Sequence, residues 1–354
     1  MSPASNVDVD VIVVGGGPIG LAAAIEARLE GLSVAVIEPR PGTIDKACGE
    51  AVMPGAVAAL ARLGVFPEGH TIAGFRYLDA KGASMAHRFG SGTGIGVRRT
   101  ALHDALTSRA AELGVIRIEA KVSALEQDAD SVTVAGLRGR WLLGCDGLHS
   151  SVRRLADLER KPARTSTGAD RRRYGLRQHF EVSPWTDLVE VHWGKAAEIY
   201  VTPIGSELVG VAVLGPQHTD FAAALAATPA LRQRLAGASP VNELRGAGPL
   251  RQRTAARSRG RVILVGDASG YVDALTGEGI RVGLAQAHEA IAAILPDGGG
   301  ARAYERASAR ATRDFRIITT ALLMAAQSPV RGAIVPLART LPGVFGAAVD
   351  RLAR

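Results

Sequence analysis

The chain of 354 residues is 47% apolar and 21% charged, an ordinary globular composition with room for about two folded units. Its net charge of +8 comes from arginines spread along the chain without a clustered basic–aromatic motif, which argues against a nucleic-acid surface and suits an anionic cofactor equally well. Two distant cysteines, Cys48 and Cys145, and the lack of any apolar run of 18 residues argue against a disulfide framework, a metal centre or a transmembrane span, and they point to a reducing cytoplasm.

Met1 to Asp10 carries two aspartates and no basic stretch, so no signal peptide is expected. Val7 to Val14 reads as a buried parallel strand. Gly15-Gly16-Gly17-Pro18-Ile19-Gly20 follows, then an alanine-rich helix from Leu21 to Glu30 and a second strand from Leu32 to Ile37. Gly15 allows the tight turn, Gly17 lets backbone approach a pyrophosphate, and Gly20 lets helix pack on strand. The helix start offers free N–H groups and a positive dipole end to phosphates. Glu38 stands 18 residues past Gly20, near the roughly 20 expected for a carboxylate on ribose hydroxyls. It would repel a 2′-phosphate, so the motif predicts FAD or NAD rather than NADP. Pro39 and Arg40 complete this group of candidate contacts.

Further along, Lys46-Ala47-Cys48-Gly49-Glu50 and Met53-Pro54 follow the second strand, and Arg99-x-x-Leu102-x-x-x-Leu106 opens a helix. Trp141 to Gly144 reads as a strand entering the turn Asp146-Gly147, with Arg153 beyond it. Arg153 to Arg177, with Arg171, Arg172 and Arg173 in a row, reads as a solvated basic linker; its sharper alternative is a clamp for the phosphates of a nicotinamide cofactor. Arg177–Val182, Leu188–Trp193, Glu198–Thr202 and Glu207–Val213 carry strand formers. Arg261 to Val265 is a buried strand ending in Gly266-Asp267; Gly277-Glu278-Gly279-Ile280 then leads to a helix from about Arg281. Asp146 and Asp267 thus sit where ligands of open α/β sheets bind. Residues 301–354 look helical, with an apolar face of Phe315, Ile318, Leu322 and Ala325 ended by Pro329. The apolar segment from Ile334 to Phe345 is open to three readings: pocket cover, dimer surface or membrane contact.

These motifs, in this order over roughly residues 7–300, resemble the flavoproteins that share the para-hydroxybenzoate hydroxylase fold: aromatic hydroxylases, prenyl reductases of the geranylgeranyl type and flavin halogenases. The resemblance implies an α/β architecture: a Rossmann-like FAD-binding domain, an antiparallel β-sheet substrate domain roofing the flavin, and a C-terminal helical segment. It places the FAD domain at 1–75, 95–155 and 255–300, the substrate domain at 76–94 and 156–254, and the helices at 301–354. It implies FAD, with Gly15, Gly17, Gly20 and Glu38 on its ADP half and Arg99 near it; no histidine or cysteine sits in an evident flavinylation motif, so the FAD is expected to be held without a covalent bond. Asp146 and Gly147 form the Asp-Gly motif, although Cys145 stands where alanine is common. Asp267 would meet the ribityl chain, and the helix start at Gly277, Gly279 and Ile280 would face the flavin ring and favour negative charge on it.

NADPH or NADH would serve as reductant without a domain of its own. The segment around Cys48 is similar both to the prenyl-reductase branch and to short hydroxylases of polyketide and phenolic-lipid pathways. That branch's aromatic substrate strand is missing at Glu198–Pro203. The reading is therefore a monooxygenase that hydroxylates a hydrophobic phenolic or polyketide-like substrate, with C=C reduction of a prenyl or polyene substrate as the alternative. Every cofactor motif is intact, which argues against a degenerate scaffold. Cys48 is either a reactive thiol activated by a helix start or by Lys46, or a small packed residue. Cys145, His103 and His149 are expected to be structural or solvent-facing. Tyr200 or Trp193 is a candidate pocket wall. Oligomeric state is not legible.

Overall fold

Val9–Val14 and Val34–Ile37 are almost wholly apolar, and a strand of that kind is stable only where both its faces are covered. In the computed structural model, which describes residues 7–160 and 172–354, they lie inside a sheet of order Ser258–Arg259, Val262–Leu264, Leu137–Gly144, Val9–Val14, Val34–Ile37, Ile116–Ile118. Every pairing in this order is parallel except that of Ser258–Arg259 with Val262–Leu264. One face is covered by the helices Pro18–Leu29 and Gly279–Ile294 with Tyr304, whose hydroxyl donates to the Leu264 carbonyl at 2.6 Å. Val122, Val132, Val134, Val152 and Leu158 cover the other.

Parallel pairing has a consequence for function. Val14 is in register with Ile37 and with Gly144, and Gly144 with Leu264. Four strands far apart in sequence therefore end on one edge, and the residues just past their carboxyl ends meet there: Gly15, Glu38, Cys145-Asp146 and Gly266-Asp267.

The second large sheet runs Ser239–Pro240, Arg173–Glu181, Leu208–Pro216, Glu198–Gly205, Leu188–Trp193, Gly74–Asp79, Ser84–Arg88. It is antiparallel except where Leu188–Trp193 pairs with Gly74–Asp79. All four strands expected between 177 and 213 are present. The solvated-linker expectation fails for Arg153, Arg173 and Arg177, which are 2%, 6% and 1% exposed. Each is buried because it has partners that a local reading cannot see. Arg153 donates to the carbonyls of Ala268 (3.1 Å) and Leu148 (2.7 Å). Arg173 pairs with Glu198 and Asp273, and Arg177 with Asp45. Arg173 is thereby committed to buried carboxylates rather than to a surface clamp; Arg171 lies outside the described residues.

The C-terminal helices are Gly300–Ala311, Arg313–Ala326, Ile334–Thr340 and Pro342–Ala353. The buried face of the second is Phe315, Thr319, Leu323 and Ala326, turned by one residue from the expected Phe315, Ile318, Leu322, Ala325. The reason is polar: the Thr319 hydroxyl is hydrogen-bonded to Thr276 at 2.9 Å inside the protein. Among the described residues no single helix is long and apolar enough to cross a membrane.

Candidate cofactor and substrate site

The first turn is built by backbone. Gly15 holds φ +106, and a Cβ there would sit 2.6 Å from the Cys145 carbonyl oxygen. The helix Pro18–Leu29 starts at Gly17 with no side-chain cap, so the N–H groups of its first turn are left for another acceptor. Two side chains grip Gly16 between them. Glu38 accepts its N–H at 2.9 Å, and His103 Nε2 lies 2.9 Å from its carbonyl oxygen. A carbonyl only accepts, and burial holds the His103 imidazole below its usual pKa; His103 is therefore neutral and donates from Nε2. That is more than the packing role expected of it. Burial pushes the Glu38 carboxyl up, but hydrogen bonds from the Arg40 side chain and the Gly16 N–H outweigh it and leave the group below the usual carboxylate range.

Beneath this turn opens a cavity of about 510 Å³. It brings together Gly15, Gly17, Pro18, Ile19, Glu38, Pro39, Arg40, Arg99, Asp146, Gly147, Asp267, Gly277, Gly279 and Ile280, with Cys48 beside them. Gly20 and Gly266 are not part of its wall: Gly20 packs under the turn against Gly15, and the Gly266 N–H is held by Gln286 at 2.9 Å. Three features show that the cavity is shaped for something besides the chain itself. Asp146 Oδ2 accepts the N–H groups of Ser151 (2.6 Å) and Val152 (3.2 Å), while its buried Oδ1 has no partner among the described residues. Arg99 Nη1 is likewise buried and unpartnered. Around Gly17 the nearest atom to an added Cβ would be Arg99 Nη2, at 3.7 Å. Buried orphan polar atoms are rare unless a ligand or water meets them. Burial pushes the Asp267 carboxyl up to about 6 against the pull of Lys46 and Arg99.

Cys48 faces this cavity, yet burial and the Glu50 carboxylate push its thiol up, with Arg99 and Arg177 opposing only in part. A thiolate nucleophile is disfavoured, and the packed-residue reading fits the geometry. The residue that a sequence reading passes over is its neighbour Glu50. It is 3% exposed, holds φ +60, accepts the Arg99 N–H at 2.8 Å through Oε1, and meets His179 Nε2 at 2.5 Å through Oε2. Asn242 accepts the His179 backbone N–H at 3.0 Å and donates to His179 Nδ1 at 2.8 Å. This fixes His179 as the Nε2–H tautomer. With Thr202 donating to the Gly49 carbonyl at 2.8 Å, the 48–50 segment is tied to two strands of the second sheet. The outlying φ is the only local mark of this joint, and a sequence does not carry it.

The far wall of the cavity is aliphatic: Leu176, Val189, Ala212, Leu214 and Leu250, with Phe75. Tyr200 lines it and donates its hydroxyl to the Leu275 carbonyl at 2.6 Å. Trp193 does not; it packs on Tyr77 and under Arg331. His149 is an exposed rim residue, 3.1 Å from the Gly248 carbonyl. Among the described residues no three His, Cys, Asp or Glu side chains are grouped to hold a metal.

Residues 8–306 match a family model described as FAD binding domain. The chain belongs to that family. A rifampicin monooxygenase of Rhodococcus hoagii is 28% identical over 307 residues, 78% of this chain and 62% of the relative, so the chain spans less than two thirds of that protein. A para-nitrophenol 4-monooxygenase of Pseudomonas sp. (strain WBC-3) is 25% identical over 342 residues, 84% of this chain and 81% of the relative. The fold of a flavin-dependent brominase, Bmp2, superimposes with a TM-score of 0.81 at 17% identity, over 98% of this chain and 93% of that one. The cofactor of the family is FAD, and the uncapped helix start, the orphan Asp146 and Arg99 atoms and the open face at Gly17 fit a dinucleotide of that kind.

The helix that begins at Gly279 comes directly after Glu278, which is 1% exposed and paired with Arg281. Burial pushes its carboxyl up to about 7, against Arg281. A carboxyl raised in the folded state favours folding below its ordinary value of 4.5, and that contribution is lost as pH rises through 7. Glu278→Gln is therefore expected to stabilise the protein at pH 8 by up to about 3 kcal/mol, seen as a higher melting temperature, and to change little at acid pH. Equal effects at both pH values in thermal melts would refute this.

Proposed function

We propose that the chain is an FAD-dependent monooxygenase that hydroxylates a hydrophobic phenolic or polyketide-like substrate, with NADPH or NADH as reductant. The observation that carries this reading is the continuity of one cavity from the glycine turn to the aliphatic wall of the second sheet. Cofactor motif and apolar substrate wall share one space, and no separate binding fold for a nicotinamide occupies the described chain. The named activities of the rifampicin and nitrophenol relatives support it.

In this reading residues 1–75, 95–155 and 255–300 hold the cofactor, and 76–94 with 156–254 cover the substrate. Gly15, Gly17, Pro18, Ile19, Glu38, Pro39 and Arg40 hold the ADP half. Arg99, Asp146, Gly147 and Asp267 take the middle, and Gly277, Gly279 and Ile280 face the ring. Gly20 and Gly266 support the backbone from behind. Bound FAD supplies the redox chemistry and the activation of O2. The chain supplies orientation and a dry apolar wall that keeps water from the reacting centre. Removing the charge of Asp267 or Glu38 should weaken FAD binding by about 1–3 kcal/mol, read as release of flavin fluorescence on dilution.

Turnover of a phenolic ligand under isotopically labelled O2 tests the reaction. Label in the product is expected. A product saturated at C=C under anaerobic reduction, without O2, would overturn hydroxylation in favour of reduction.

A further inference from the structure

The apolar side chains that the fold leaves in water are not evenly spread. Of eleven large hydrophobic residues exposed among the described residues, six lie between 317 and 344: Ile317, Met324, Val330, Leu337, Leu341 and Val344, each 53–66% exposed. On the helix Arg313–Ala326, Ile317 and Met324 share an exposed stripe with Arg313 and Arg316, opposite the buried Phe315, Thr319 and Leu323. Exposed apolar side chains gathered on one face, as Ile317 and Met324 are on theirs, mark an interaction surface.

Charge says which. Residues 301–354 contain nine arginines and three carboxylates, a net +6 out of the chain's +8. The carboxylates are engaged: Glu305 with Arg257 and Ser258, Asp314 with Arg351, Asp350 with His87 and the Gly90 N–H. Exposed Arg302, Arg306 and Arg310 run along one side of the preceding helix. No ion pair joins them, Arg313, Arg316 or Arg339 to an acid among the described residues. A two-fold contact between copies would set this surface against itself and bring uncompensated arginines together. An anionic lipid surface meets both features at once, with apolar side chains entering the interface and arginines at the headgroups.

We propose that the face of residues 302–344 docks on anionic membrane lipid. The helix Arg313–Ala326 and the stretch Pro329–Thr340 are bent by 103° at the break between them, and each is fastened to the protein along one side. Their inner sides, Leu323, Ala326 and Val335, pack into the same cluster as Tyr200, Leu214 and Leu250, which wall the cavity. The docked face is thus one layer from the site where an apolar substrate would be held. Docking itself does not depend on the reaction proposed above.

Sedimentation of the flavin-loaded protein with vesicles tests this. Binding is expected to vesicles of phosphatidylcholine mixed with phosphatidylglycerol, to fall with added salt, and to be weak on phosphatidylcholine alone. Replacing Arg313, Arg316 and Arg339 together by Gln should lower partitioning by roughly a hundredfold. Replacing Ile317, Met324 and Leu337 by Ser should abolish it, with flavin absorbance and melting temperature unchanged. Failure to sediment with the anionic vesicles, or unchanged binding in the Ser variant, overturns the proposal. So does a solution dimer, by light scattering, that Ile317→Glu breaks and that does not bind vesicles; the face would then belong to a second copy.

Discussion

Gly20→Ala is expected to give protein that carries little or no flavin and melts well below the wild type. A methyl group at Gly20 would lie 1.8 Å from the Gly15 carbonyl oxygen and 3.2 Å from Val13 Cγ1. The oxygen cannot swing away. The Gly15 N–H is held by the Ile37 carbonyl at 2.8 Å, and Gly16 is clamped from both sides by Glu38 and His103. The helix must lift off the strand or the turn must distort, and either moves the uncapped N–H groups away from the cavity. Ordinary overpacking costs about 1–3 kcal/mol; contact with a fixed backbone oxygen belongs at the top of that range or beyond. Helix propensity makes the opposite forecast, because alanine is better than glycine inside a helix by about 1 kcal/mol. Flavin absorbance per mole of protein, together with a thermal melt, decides between them. Gly332→Ala, with nothing within 4 Å of its Cβ, is the control.

That residue was legible because its constraint is local. Strand, glycines, helix and acid lie within thirty consecutive positions, and apolar runs identify the strands that deliver Asp146 and Asp267. Once those strands are taken as parallel, their common edge collects the motifs without further information, and fourteen of the sixteen candidate cofactor contacts do line one cavity. The features that stayed hidden depend on separation. Glu50 and His179 are 129 positions apart, and His103 reaches Gly16 across 87. Nothing in either local pattern signals the partner. Thr319 shows the same limit within one helix: hydrophobic periodicity cannot place a threonine inside, because its hydroxyl is satisfied by Thr276 from another element.

The arginines of the second sheet were hidden for the same reason, and they lead to the other large effect expected. Glu198 is fully buried between Arg173 and Arg331, with Arg331 Nη1 at 2.6 Å; Arg173 also lies 3.4 Å from Asp273. The cluster joins two strands of the sheet, the loop before the helix at Gly279 and the turn after Ala326. Burial pushes the Asp273 carboxyl up to about 6, with Arg173 pulling it down and Glu198 pushing it further up. Glu198→Ala should destabilise the protein by about 3–5 kcal/mol, because it strands a buried guanidinium rather than because the ion pair is itself worth that much. The distinction is measurable. If stranded charge is the cause, removing Arg173 as well relieves it. The double variant Glu198→Met/Arg173→Met should then be more stable than the sum of its single variants implies, since Arg331, 15% exposed at its side chain, can turn to solvent and Asp273, held up to about 6 by burial and freed of Arg173, can take up a proton. Denaturant unfolding of the four proteins gives the coupling directly. Strict additivity would mean that Arg173 and Glu198 do not interact across the sheet, and a Glu198→Ala variant that unfolds with the wild type would remove the cluster from any account of how the second sheet is held over the cavity.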